Sequence, residues 1–436
     1  MNTRAYTLTG LTIRSATQNS PLQFRFPRQK QTGRYIGHGC IDTLCTARPE
    51  EIIPAIKGLP KEGLVMGSQL KKMGIDLETV RAQLPQRVRD EAVLRPGGPA
   101  RTAAQAAHQA DPNSHITYIG FRGFDELGDW YEQHFVDRGM DVSRLMKTRD
   151  YPTSETLARE QQGKDPWRNF IHEIGANYAL TLPTLTENDL KADYVHIGGN
   201  FLVPGLDLIG TFTKAKMNGA MTSLDTVFDP IGRWKLADSH KFRGFDRFLA
   251  FVNRNLNKNN WNAPLNTYFF GRLAACLDVL TMDRGEAEAI AGTKGETPEE
   301  TLEFFKKAGF PACVIKLGSE GSIGYSTGKG DFIGEHPVVR MPISDYIADF
   351  PEEAKFPTGT GDVYSGLLPV LLRRGVPLPV AMAFATSGAG LSLLQKGGEL
   401  GAPGNHLAEI LDIYNRMIEQ ASVINTVGYL PRLTLG

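Results

Sequence analysis

From Tyr35 onward, short runs rich in β-branched and aromatic residues alternate with longer stretches of helical period. Ile116–Gly120 precedes a helical Glu126–Arg138, Tyr194–Ile197 precedes Gly205–Met217, and Val279–Met282 precedes Arg284–Ala291, with Cys313–Leu317 as a later strand. Such alternation predicts a parallel sheet covered by helices. The stretch from Thr148 to Asn177 differs: Thr153, Thr156 and Leu157 lead into the polar turn Gly163-Lys164-Asp165-Pro166 and then Phe170-Ile171-His172, which reads as a hairpin outside the main sheet. Residues 1–33 carry little periodicity and read as a partly disordered N-terminal extension, so the folded unit is expected to span 34–436. The apolar run Ala381–Leu394 falls short of the roughly 18 residues a spanning helix needs, so no membrane partner is expected.

Composition narrows the function classes. With 48 basic and 48 acidic residues, no global field favours nucleic acid or an anionic membrane. The polar, aromatic-containing segment Asp238–Thr267 reads as a solvated loop or amphipathic surface before it reads as an RNA contact. Cys40, Cys45, Cys276 and Cys313 lack C-x-x-C spacing and suit reduced, buried thiols, and the polar, basic N-terminus has no signal-peptide pattern; a cytoplasmic location is expected. His38 near Cys40, and His172 beside Glu173, lack a third partner at metal-ligand spacing and are read as structural. Asp225 and Asp229 follow a predicted strand and could belong to a cleft, with a helix cap or turn as the preferred reading, and Asp125 is read as structural.

The chemistry concentrates in Pro357-Thr358-Gly359-Thr360-Gly361-Asp362-Val363-Tyr364-Ser365-Gly366, where Gly-rich chain opens into a helix. Glycines let successive N–H groups converge, and the positive end of the helix dipole adds to them, which makes a site for a phosphate or for transition-state charge. Asp362 in the first turn can accept the proton of an attacking hydroxyl. From these ten residues alone, a simple helix cap explains Asp362 as well.

Several further segments occur in an order that resembles the PfkB (ribokinase-like) carbohydrate kinase family. Gly97-Gly98-Pro99-Ala100 is similar to its di-glycine substrate motif, and Gly120 to Gly128 with Gly139-Met140-Asp141-Val142 to the stretch that follows. Asp229-Pro230 with Trp234, then Leu280 to Glu288, resemble the segment carrying its Asn-x-x-Glu motif. Ile315 to Ser322 looks like the nucleotide-binding strand and turn, and Phe356 to Gly366 the anion-hole and catalytic-base motif. The resemblance implies a three-layer α/β/α fold with a central mostly parallel sheet and a small β lid, its strands within about 34–66 and 148–177. It implies ATP and Mg2+ as cofactors, Asp362 as base, and Gly359, Thr360 and Gly361 as anion-hole residues. Asp42, Gly97, Gly98 and Thr102 would contact the acceptor, Lys316, Gly318 and Gly321 the nucleotide, and Glu286 and Asp283 the metal. Gly58-Leu59-Pro60-Lys61-Glu62-Gly63 is similar to the adenosine-kinase-like branch, pointing to a small sugar or nucleoside acceptor.

The chain departs from the family pattern at four places. Thr102 stands for an asparagine, Asp283 for the asparagine of Asn-x-x-Glu, Lys316 for a threonine, and Phe356-Pro357 for an aspartate and threonine associated with a monovalent cation. Lys316 could reach an ATP phosphate or simply snorkel at a strand end. These departures bear on acceptor identity, metal environment and cation activation. They also support a rival reading, a non-catalytic PfkB-like nucleotide- or sugar-binding protein with a regulatory or structural role. An exposed lid edge offers a surface for a homodimer.

Overall fold

The computed structural model describes residues 23–25, 30–48, 50–56, 63–111, 113–161, 167–226, 264–291, 293, 295–330, 332–351, 358–394, 400, 405–428 and 430–434. Outside the described residues lie the Gly163–Pro166 turn, residues 58–62, Asp229-Pro230 with Trp234, residues 238–263 and Phe356-Pro357.

Nine strands form the main sheet, in the spatial order Glu335–Met341, Ser322–Thr327, Ala312–Lys316, Val279–Asp283, Met221–Asp225, Tyr194–Gly198, Thr32–Gly37, His115–Gly123 and Leu145–Thr148. All pairs are parallel except the two at the Ser322–Thr327 edge, which are antiparallel. The central strands Tyr194–Gly198 and Met221–Asp225 are buried along their whole length, as expected of parallel strands covered on both faces. One face carries helices Pro99–Ala110, Thr360–Leu372, Leu378–Leu393 and Leu407–Met417; the other carries Leu208–Met217, Pro264–Cys276, Arg284–Ala291 and Pro298–Lys307. This is the three-layer α/β/α arrangement. The first main-sheet strand begins at Thr32, two residues before the expected start of the folded unit, and a still earlier strand, Gln23–Arg25, pairs in parallel with Arg432–Thr434.

A second sheet has the order Gly63–Met66, Trp167–Glu173, Glu155–Gln161, Cys40–Ala47, Val93–Gly97. Its hairpin is the one legible in the sequence; the strand before the di-glycine joins it as an antiparallel neighbour of Cys40–Ala47. Val65, Leu157 and Ile171 pack under the short helices Gly67–Lys72, Leu77–Ala82 and Gln86–Asp90 through Leu70, Val80 and Val88. Only His38 and Gly39 separate main-sheet strand Thr32–Gly37 from small-sheet strand Cys40–Ala47.

Leu378–Leu393 is apolar all round because it lies between helices Thr360–Leu372 and Leu407–Met417. No helix among the described residues is long and apolar enough to cross a membrane.

Candidate active site

The carboxyl ends of the main strands converge on the start of helix Thr360–Leu372, whose N-cap is Gly359. Gly359 has φ +83, a left-handed conformation that would strain any residue with a Cβ. The N–H groups of Thr360 and Gly361 precede the first intrahelical bond of this helix, and the Thr360 hydroxyl is buried with no hydrogen-bond partner among the described residues. Asp362 follows in the same turn, its N–H bonded to the Gly359 carbonyl at 3.0 Å.

Three contacts fix this helix. The Tyr35 hydroxyl donates to the Gly366 carbonyl at 2.6 Å, tying the helix to the strand that leads into the small sheet. Ser322 and Tyr364 hydroxyls bond at 3.0 Å on the opposite side. At Gly366 a Cβ would stand 2.4 Å from the Ala103 carbonyl oxygen, so glycine lets the helix cross directly on Pro99–Ala110.

The electrostatics single out Asp362. Burial, reinforced by the carboxylates of Asp225 and Asp42 and opposed by the Lys316 ammonium, pushes its pKa up to about 7. A carboxyl titrating near neutrality is matched to taking a proton from an alcohol. Lys316 is neither exposed nor snorkelling: its ammonium donates to Asp225 at 2.8 Å, to the Ser365 hydroxyl at 3.1 Å and to the Gly361 carbonyl at 3.4 Å. Burial works against the Lys316 charge, yet Asp225, Glu286 and Asp362 together raise its pKa. Asp225, assigned from the sequence to a cap or turn, instead ends the strand Met221–Asp225 as the buried partner of this ion pair, and also accepts from the Thr281 hydroxyl. Its one sequence signal was position, at the carboxyl end of a strand in an α/β sheet.

Glu286 is buried and its Oε2 accepts from the Thr226 hydroxyl at 3.1 Å and the Asp283 N–H at 3.0 Å. Asp283 is exposed, and its Oδ1 accepts from the Glu286 N–H at 2.7 Å. The pair forms a reciprocal box at the start of helix Arg284–Ala291, so Asp283 serves this helix terminus. Gly318 and Gly321 bound the tight turn after Ala312–Lys316; a Cβ at Gly321 would meet the Met341 carbonyl oxygen at 2.0 Å, which gives that glycine a packing reason of its own.

On the small sheet, Asp42 pairs across from Arg95 and leans over Gly97, where a Cβ would fall 1.9 Å from its Oδ2. Gly98 has φ +95 and lies so close to the His38 carbonyl and Gly39 Cα that only glycine fits. Burial raises the Asp42 pKa, partly offset by Cys40, Thr156 and Arg101. Thr102 is buried in helix Pro99–Ala110, its N–H on the Gly98 carbonyl. Asp125 caps helix Glu126–Asp137 and accepts from the Thr153 N–H, a structural role as expected. Gly97→Ala would push the Asp42 carboxylate aside while leaving Asp362 in place. The expected result is a raised acceptor KM with ATP KM unchanged, read from initial rates; an unchanged acceptor KM would place Asp42 away from the acceptor.

The pfkB family carbohydrate kinase profile matches residues 249–404, which include Glu286, Lys316 and Asp362. A 2-dehydro-3-deoxygluconokinase of Bacillus subtilis is 27% identical over 230 residues, 50% of this chain and 61% of that enzyme. Over residues 249–404 the chain is similar to the PfkB carbohydrate kinase family. Solved structures repeat the fold. An Arabidopsis thaliana ribokinase complexed with ribose and ATP superposes with a TM-score of 0.58 at 16% identity, covering 88% of this chain and 99% of that one. An adenosine kinase from Sinorhizobium meliloti gives a TM-score of 0.61 at 16% identity, covering 86% and 97%. A putative ribokinase II from Escherichia coli in complex with ATP and Mg2+ gives 0.56 at 17% identity, covering 89% and 100%. The Gly359–Asp362 turn, the Lys316–Asp225 pair and Glu286 meet at one end of the main sheet, with Asp42 reaching the same centre from the small sheet.

Proposed function

We propose that the protein transfers the γ-phosphoryl group of ATP to a hydroxyl of a small sugar or nucleoside, with Asp362 as general base. The observation that carries this reading is the carboxyl of Asp362, pKa about 7, in the first turn of a helix that opens on the left-handed Gly359 and carries the unpartnered Thr360 hydroxyl. The acceptor hydroxyl lies between Asp362 and Asp42; Asp362 takes its proton as the oxygen attacks. The Gly359–Gly361 N–H groups and Thr360 hold the charge spread over the transferred phosphoryl, which supplies most of the rate in reactions of this class. Lys316 adds a fixed positive charge beside Gly361. Glu286, with Lys316, Gly318 and Gly321 lining the nucleotide side, would hold magnesium through water. A metal held there would supply positive charge to offset that of the phosphate oxygens. The small sheet acts as a lid that excludes water from the transfer.

The acceptor class is a furanose-like polyol or a related sugar acid, the latter suggested by the B. subtilis relative. The test is incubation with ATP and magnesium across pentoses, hexoses, 2-keto-3-deoxy sugar acids and nucleosides, followed by phosphorus NMR. A new phosphate-monoester resonance with one acceptor class is expected, together with slow ATP loss when no acceptor is present. Fast acceptor-independent ATP loss would contradict a lidded sugar-type kinase and point to a phosphohydrolase.

A further inference from the structure

Where the loop between the two sheets meets the small sheet, His38 of the loop comes together with two strand side chains that the phosphotransfer reading leaves unused. His38, Cys40 and His172 are each at most 2% exposed, and their donor atoms all lie within 4.8 Å of one another. The Nε2 atoms of His38 and His172 are 3.1 Å apart, with the rings nearly perpendicular at 75°. Two imidazoles on a tetrahedral zinc, at about 2.0–2.1 Å each, place their nitrogens about 3.3 Å apart. Sequence spacing hid this cluster because His172 comes from a strand more than a hundred residues downstream.

We propose that His38 Nε2, His172 Nε2 and Cys40 Sγ form a binding site for a borderline-soft divalent cation of the Zn2+ type, clamping the inter-sheet loop to the small sheet. Both rings are buried, and burial disfavours the charged imidazolium relative to the neutral form that ligates. The surroundings already orient His172 and Cys40. The Thr156 hydroxyl sits 2.9 Å from His172 Nδ1 and 3.4 Å from Cys40 Sγ. With a cation in place, His172 Nδ1–H donates to Thr156 and the Thr156 hydroxyl donates to the thiolate, the outer-sphere pattern that fixes a ligating histidine. Burial and the Asp42 carboxylate push the Cys40 thiol up, so binding displaces its proton to solvent. Without a cation the Cys40 S–H donates to Asp42 Oδ1 at 3.1 Å. Thiolate and imidazole favour zinc or cobalt over magnesium or calcium, which keeps this site chemically separate from nucleotide-bound magnesium.

The test is equilibrium dialysis of the full chain, first stripped with chelator and kept reduced, against equimolar Co2+ and, separately, Zn2+. One cation per chain is expected, with a sulfur-to-cobalt charge-transfer band, the strong visible bands of four-coordinate cobalt and a raised Tm. Cys40→Ser should remove the charge-transfer band, and His172→Gln should lower the stoichiometry and the Tm gain. Absence of bound metal would overturn the site, as would a charge-transfer band retained in Cys40→Ser, which would assign it to Cys45, Cys276 or Cys313. If Cys40→Ser failed to fold, His172→Gln alone decides, since undiminished binding in that variant contradicts the assignment. None of these outcomes depends on phosphotransfer.

Discussion

Asp362→Asn is expected to lower the phosphoryl-transfer rate by roughly 10² to 10⁴, the range for losing a positioned general base, while nucleotide affinity changes little. The amide is nearly isosteric and keeps the turn that the proposal assigns to the phosphate. It cannot take the acceptor's proton. The loss should therefore fall on kcat with ATP KM close to that of the parent, measured by steady-state ADP release. A variant with parental kcat would show that Asp362 only caps its helix, the bland alternative that the local sequence left open.

Lys316→Met has the second large effect, and it acts through charge. Lys316 opposes the rise in the Asp362 pKa, whereas Asp225 adds to it. Removing the ammonium leaves both carboxylates uncompensated, so Asp362 must titrate above its parental value near 7. Activity requires the ionised form, so the acid limb of kcat/KM should move to higher pH. Stability should fall as well, by about 3–5 kcal/mol, because one partner of a buried ion pair is left alone. The sign with pH follows from Asp225, whose folded pKa is raised: protonated, it tolerates burial, so the destabilisation is least in acid and grows as pH rises through that pKa. Urea unfolding at several pH values measures it. An acid limb that stayed put or moved down would contradict the charge arrangement.

The layered sheet was legible because its strands are short apolar runs set apart by helical periods, and burial on both faces makes such runs unambiguous. The Gly359–Asp362 turn was legible because glycine at a left-handed position has few other reasons to precede a helix. What the sequence did not reveal depends on pairing across long separations. Asp225 and Lys316 are 91 positions apart, and no local pattern marks them as partners. Lys316 was therefore open to being read as a surface lysine. Asp283 stands as a metal candidate in the motif, and only the reciprocal bonds with Glu286 reveal its place at a helix start. The strand Val93–Gly97 escaped notice because its role is to carry the di-glycine against Asp42, a contact set by small-sheet register rather than by periodicity.

The central claim is acceptor-dependent phosphotransfer with Asp362 as base, and ADP release from MgATP with and without acceptor, in the parent and Asp362→Asn side by side, tests it most directly. The account predicts turnover in the parent that needs acceptor and is lost in the variant. ATP binding without turnover on any acceptor, or turnover equal in both proteins, would contradict it, the former outcome pointing to a PfkB-like binding protein.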